Sequence, residues 1–280
     1  MDANHCPGSV MFLFKTRGGT YLHVGDFRAC PEMEEFPELW KNSIDKVFLD
    51  TTYCRPEYDF PPQSDVIAST VRQIQSTFSH SALKRLLICV GSYTIGKERI
   101  FLALAEMLGC NVWANAEKTR VLKAIRDPRI ENRLVKSPNS AQVHVTDMRT
   151  ARNPASLAQY LDMLNGRFDH VLAVVPTGWT HTGSAGSARG GGVAGLRIRK
   201  ASQKVSKLEV PYSEHSSFSE LRRFVRFLRL KSADKVIPTV NVGSAESRAA
   251  MKRYFKQWVE GAPSPTKSGT KDIQTFFKKL

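Results

Sequence analysis

From residue 64 to residue 210 short apolar runs alternate with amphipathic segments, and that alternation restricts the fold more than any other feature of this sequence. The strand-like segments are Leu86 to Val90, Val112 and Trp113, Gln142 to Thr146, His170 to Val175 and Val205 to Val210. Each is too short for a helix and is rich in β-branched residues, as buried strands are. Between them lie segments of helical period: Ser64 onward with Val66, Ile67, Val71 and Ile74, then Lys97 to Leu108 ended by Gly109, Glu117 to Ile125, and Pro154 to Leu164. Strand and helix in alternation imply an α/β layer with a parallel sheet.

The flanks read differently. Val10 to Phe14 and Tyr21 to Val24, joined through Arg17-Gly18-Gly19-Thr20, predict a hairpin. Lys46 to Leu49 predicts a short strand, Lys235 to Val240 a last strand, and Ser217 to Leu228 and Ser244 to Val259 amphipathic helices. Residues 182–204, rich in Gly, Ser, Arg and Lys, read as a flexible basic loop. With 41 Lys and Arg against 26 Asp and Glu, the net charge is +15. Such an excess points to a polyanionic partner, nucleic acid above all, although a basic soluble protein carries the same signature. The five cysteines are odd in number and nowhere form a Cys-x-x-Cys pair, which argues against a disulfide framework or a cysteine zinc ribbon. No apolar run is long enough to span a bilayer, and no secretory signal opens the sequence.

Polar residues cluster where strands end. His5, Asp26, Asp50 and His215 all fall at such points, and imidazole nitrogen and carboxylate oxygen are the usual non-sulfur ligands of zinc. Taken singly, each has a plainer role as a structural histidine or a turn former. His215 stands at a strand-to-helix turn before Ser216 and Ser217, where free N–H groups bind phosphate oxygens or a serine simply caps the helix. A histidine there can protonate a leaving alkoxide, with Asp50 as the acid that orients it. Gly91-Ser92-Tyr93-Thr94-Ile95-Gly96-Lys97 has phosphate-loop spacing, but Glu98 replaces the hydroxyl residue that would hold magnesium. Tyr93 and Lys97 therefore read as backbone-phosphate contacts, or equally as a solvated helix start. Trp179 is a base-stacking candidate, with burial the commoner fate of a tryptophan.

Five segments taken together resemble one known family. They are Asp2-Ala3-Asn4-His5-Cys6-Pro7-Gly8, Gly25-Asp26-Phe27-Arg28, Leu49-Asp50-Thr51-Thr52-Tyr53, Tyr212-Ser213-Glu214-His215-Ser216-Ser217 and Ile237-Pro238-Thr239-Val240-Asn241. Their order and separation resemble the metallo-β-lactamase/β-CASP DNA-repair nucleases, the interstrand cross-link repair exonuclease branch in particular. The resemblance implies an α/β fold: an incomplete metallo-β-lactamase αββα sandwich with an inserted β-CASP α/β domain. Residues 1–57 and 169–259 would form the metallo-β-lactamase part, 58–168 the insert and 260–280 a disordered tail.

It further implies that His5 and Asp26 hold zinc, that Asp50 is the acidic residue opening the β-CASP region, and that His215 stands beside the scissile phosphate. Val240 occupies the position where RNA-processing relatives carry a histidine, which marks the DNA-directed type and weakens a second metal position. The family's His-x-His-x-Asp-His motif is absent. No two of the seven histidines (His5, His23, His80, His144, His170, His181, His215) are separated by one residue, so the expectation is a segment missing upstream of Met1. Implied in sum is zinc-dependent 5′-to-3′ digestion of DNA by metal-activated water, in the nucleus. The competing expectation is a truncated, non-catalytic DNA-binding relative. In the tail, Ile273, Phe276 and Phe277 resemble a sliding-clamp-binding peptide, against a chance apolar cluster.

Overall fold

A computed structural model describes residues 1–178, 193 and 195–261. Trp179, most of the basic loop and the tail with Ile273, Phe276 and Phe277 lie outside the described residues.

Two sheets organise the chain. The smaller contains β1 (Phe12–Thr16), β2 (Gly19–His23), β3 (Lys46–Leu49) and β10 (Val236–Pro238), in the order β1-β2-β3-β10. The expected hairpin is present, with Phe12 opposite His23 and Thr16 opposite Gly19. Gly19 is obligatory at the turn: its φ is +134°, and a Cβ there would meet the Asp45 carboxylate at 2.7 Å. After the short helix α1 (Pro37–Trp40), β3 joins β2 and β10 in parallel.

The larger sheet contains β4 (Leu86–Ser92), β5 (Val112–Ala114), β6 (Val143–Asp147), β7 (His170–Pro176), β8 (Arg199–Lys200) and β9 (Val205–Val210). Its order is β5-β6-β4-β7-β9-β8, parallel except for the β8 edge. α2 (Gln63–Thr77), α3 (His80–Lys84), α4 (Glu98–Leu108), α5 (Ala116–Ala124) and α6 (Pro128–Glu131) precede β6 in the chain. One face of this sheet packs on α2 and α4 through Val66, Ile74, Phe101 and Ala105. The opposite face is covered by α7 (Met148–Arg152) and α8 (Pro154–Asp162) through Met148, Ala151, Leu157 and Leu161. Alternate residues of β4 serve the two faces, Ile88 and Val90 on one and Leu87 and Cys89 on the other.

α9 (Phe218–Phe227) and α10 (Ala245–Glu260) close the smaller sheet, burying Leu221, Phe224, Phe255 and Trp258 against Leu22, Val24, Val47 and Leu49. This mixed parallel and antiparallel α/β architecture is consistent with a metallo-β-lactamase-like fold. One boundary differs from expectation. β7 and β9 are hydrogen-bonded in the larger sheet, so the change of sheet falls at residues 212–217 rather than at 168/169. Pairing partners, which lie far away in sequence, decide this, and strand periodicity does not report them.

Candidate metal centre

Three loops bring the site together, and backbone hydrogen bonds lace them. Asn4 takes φ +50° and Gly25 φ +60°, so a left-handed residue turns the chain just before both His5 and Asp26. The amide of Arg28 donates to Ala3 O at 3.0 Å, tying the first loop to the second. The amide of Ser216 donates to Phe27 O at 3.1 Å, and that of Ala29 to Ser216 Oγ at 2.8 Å, tying the second loop to the third.

The ligand-type atoms of His5, Asp26 and His215 consequently lie within 4.8 Å of one another, the one such group found among the described residues. The two imidazole rings meet edge to face with centroids 4.6 Å apart. Each ring is held through Nδ1. That of His5 lies 2.9 Å from Glu214 O, and that of His215 lies 2.7 Å from Asp50 Oδ2. In both rings Nε2 is the nitrogen left to face a ligand. A histidine steadied by a carbonyl or carboxylate through its other nitrogen is the usual arrangement around a metal. Two nitrogen donors and one carboxylate fit a divalent ion, and an exposed Asp26 leaves its approach open.

Asp50 is buried. Burial alone would favour its neutral form, but hydrogen bonds with His215 and with the amide and hydroxyl of Thr52 outweigh it and hold the carboxyl below its ordinary value. It stays an anion that can support a charged His215 ring. Tyr53 packs near that ring, at 6.1 Å between centroids. Val240 sits beside this strand end, its amide and carbonyl both bonded to Thr51 Oγ1, and its side chain supplies no donor atom.

Three of the expected phosphate contacts are placed otherwise. Ser216 is buried, and its hydroxyl donates to Phe27 O. Ser217 is fully buried and caps α9 in a reciprocal capping box with Glu220. Lys97 is 5% exposed, its ammonium 2.8 Å from Glu214 Oε2 and its amide bonded to Glu214 Oε1. The expectation for Lys97 rested on spacing, which cannot reveal a buried acid 117 residues away. Of the four expected phosphate contacts, Tyr93 alone is widely open, at 60% exposure.

Glu214 is the residue that sequence reasoning passed over. Its carbonyl holds His5 while its carboxylate grips the 96–97 loop, where Gly96 takes φ +103° and Lys97 takes φ +70°. A Cβ on Gly96 would fall 2.6 Å from that carboxylate. Its position next to His215 was the available signal. Arg28, 2% exposed, was likewise missed. Its guanidinium donates to Ser213 O, to Pro61 O and to Glu220.

Two oriented histidines and an aspartate thus converge between the two sheets, a donor set suited to a divalent ion in a metallo-β-lactamase-like fold. Residues 128–244 match the family model described as DNA repair metallo-beta-lactamase. The chain is 41% identical over 260 residues to the mouse DNA cross-link repair 1A protein, covering 92% of this chain and 24% of that one. Against the Arabidopsis thaliana DNA cross-link repair protein SNM1 it is 40% identical over 262 residues, covering 92% and 51%. Against the chicken 5′ exonuclease Apollo it is 31% identical over 241 residues, covering 86% and 44%. The chain belongs to the metallo-β-lactamase/β-CASP DNA-repair nuclease family, and it spans from about a quarter to about half of the length of these relatives.

Proposed function

We propose that this protein is a zinc-dependent DNA nuclease that trims strands from the 5′ end during interstrand cross-link repair, in the nucleus. The observation that carries the reading is the convergence of His5, Asp26 and His215 with both rings held through Nδ1. His5 and Asp26 would hold the zinc, whose chemistry is to polarise water and a phosphoryl oxygen. His215 would give the proton at Nε2 to the leaving oxygen, and Asp50 would steady the ring and its charge through Nδ1. Val240 leaves no imidazole for a further metal and supports DNA over RNA. The net charge of +15 supports a polyanionic strand as substrate. A sliding clamp as partner is proposed from Ile273, Phe276 and Phe277 by sequence alone.

The 4.8 Å convergence favours one variant of this reading, in which His215 is a third ligand rather than the proton donor. Zinc titration separates the two. His215→Ala keeps zinc affinity if the ring is a proton donor and loses it if the ring is a ligand. The function itself is tested by digesting matched 5′-phosphorylated DNA and RNA strands with the zinc-loaded protein. DNA digestion from the 5′ end, lost in His215→Ala, is expected. Full activity in that variant overturns the reading, and tight DNA binding without zinc uptake replaces it with a non-catalytic DNA-binding protein.

A further inference from the structure

A cavity of about 340 Å³ opens at the C-terminal ends of β4, β5 and β6, apart from the metal centre. β4 continues into α4 on one face of the sheet, and its neighbour β6 continues into α7 on the other. Adjacent parallel strands whose connections leave on opposite faces open a crevice at their C-terminal ends, the usual ligand position in open α/β sheets. The volume lies at the lower end of the ~300–1,000 Å³ of ligand pockets.

The lining decides what fits. Val121, Val145 and Met148 give apolar walls, and Tyr93 stands at the rim with its ring open to solvent. Thr146, which also lines the cavity, carries the one buried side-chain polar atom without a hydrogen-bond partner among the described residues. That hydroxyl lies beneath the cavity surface, and a turn of χ1 to another staggered position would bring it to a bound donor or acceptor. A phosphate fits poorly. The Lys118 ammonium spends its three N–H bonds on Ser92 Oγ, Tyr93 O and Thr94 O, each at 3.0 Å, and the Glu117 and Asp147 carboxylates add negative charge. A flat group with apolar faces and a polar edge fits well.

Tyr93 also connects the cavity to the centre. Lys97 Nζ lies 5.8 Å from its ring and 2.8 Å from Glu214, the neighbour of His215. We propose that this cavity receives an unstacked nucleobase of the bound DNA strand, stacked at its mouth by Tyr93 and read at its edge by Thr146. The inference rests on DNA as the substrate. Bases taken out of the stack are held in this way, between an aromatic face and hydrogen bonds to the base edge.

The test uses the full chain and single-stranded oligonucleotides carrying one abasic nucleotide at successive positions, with binding read by fluorescence anisotropy. Affinity is expected to fall about tenfold at one position only, and this dip is expected to vanish in Val121→Trp, which fills the cavity. Thr146→Val, a near-isosteric change, is expected to weaken the intact strand severalfold without lowering Tm, as loss of one hydrogen bond does. A flat abasic profile in the wild-type protein overturns the proposal and leaves the nuclease reading intact, whereas no DNA binding at all overturns that reading as well. Deoxyadenosine and deoxycytidine form a second arm. If they bind and Val121→Trp abolishes their binding while the abasic profile is flat, the cavity serves a free nucleoside and the strand proposal fails.

Discussion

At the scale of single residues, the Asp50–His215 pair is the most exacting contact in the centre. Asp50→Asn keeps the volume but removes the charge and lets the ring turn or take the wrong tautomer. Metal affinity or activity should fall about 10- to 100-fold, as when an outer partner of a ligand is removed, with the fold intact by circular dichroism. His144, on β6, carries a different prediction. Burial pushes its ring down from the ordinary 6.5 to about 4, against the opposing pull of the Pro138 and Ala141 carbonyls. The neutral ring donates from Nε2 to Pro138 O and accepts the Tyr160 hydroxyl proton at Nδ1. The unfolded chain takes up a proton first, so this stability is fully present above about pH 6.5 and drains away as pH falls toward 4. Between pH 7 and pH 5 the loss is about 2 kcal/mol at roughly 1.4 kcal/mol per pH unit. Urea midpoints at the two pH values should show it, and His144→Gln should flatten that limb.

Among the elements, limits set by local chemistry are visible in the sequence. β3 and β9 have their expected limits, and Gly109 ends α4 with φ +60°. The capping serines of α9 and α10 are visible in the chain because Glu follows Ser217 at the third position and a helical apolar stripe follows both. Legibility stopped where a distant partner governs. The helical period sets in at Ser64, whereas α2 starts one residue earlier at Gln63, whose side-chain amide donates to Ser213 O at 2.7 Å. Lys97 was expected inside α4, and the grip of Glu214 makes it the left-handed residue before the helix. The pairing of His5, Asp26 and His215 was legible through the family resemblance, and strand-end polarity alone gave only a set of candidates. Ser217→Ala removes one half of the α9 capping box and should cost about 1 kcal/mol. Because α9 follows the turn that holds His215, thermal melting and DNA digestion should both register the change.

For the whole molecule, the junction between the two sheets is polar. Arg28, next to the Asp26 loop, reaches Pro61 before α2, Ser213 after β9 and Glu220 on α9. Such a buried guanidinium satisfies several carbonyls at once, and removing it strands them. Arg28→Met should destabilise by about 3 kcal/mol or more, the loss typical of breaking a buried pair. That corresponds to a Tm lower by roughly 6 °C or more, read by calorimetry. The larger sheet has its own apolar core on both faces and does not depend on this contact.

Glu214 gears these two bodies to each other. Its main chain steadies an imidazole on one side while its side chain clamps a loop on the other. Any swing that widened the cleft between the sheets would tug on both at once. Opening the cleft and keeping the His5 ring in its place are then mechanically opposed.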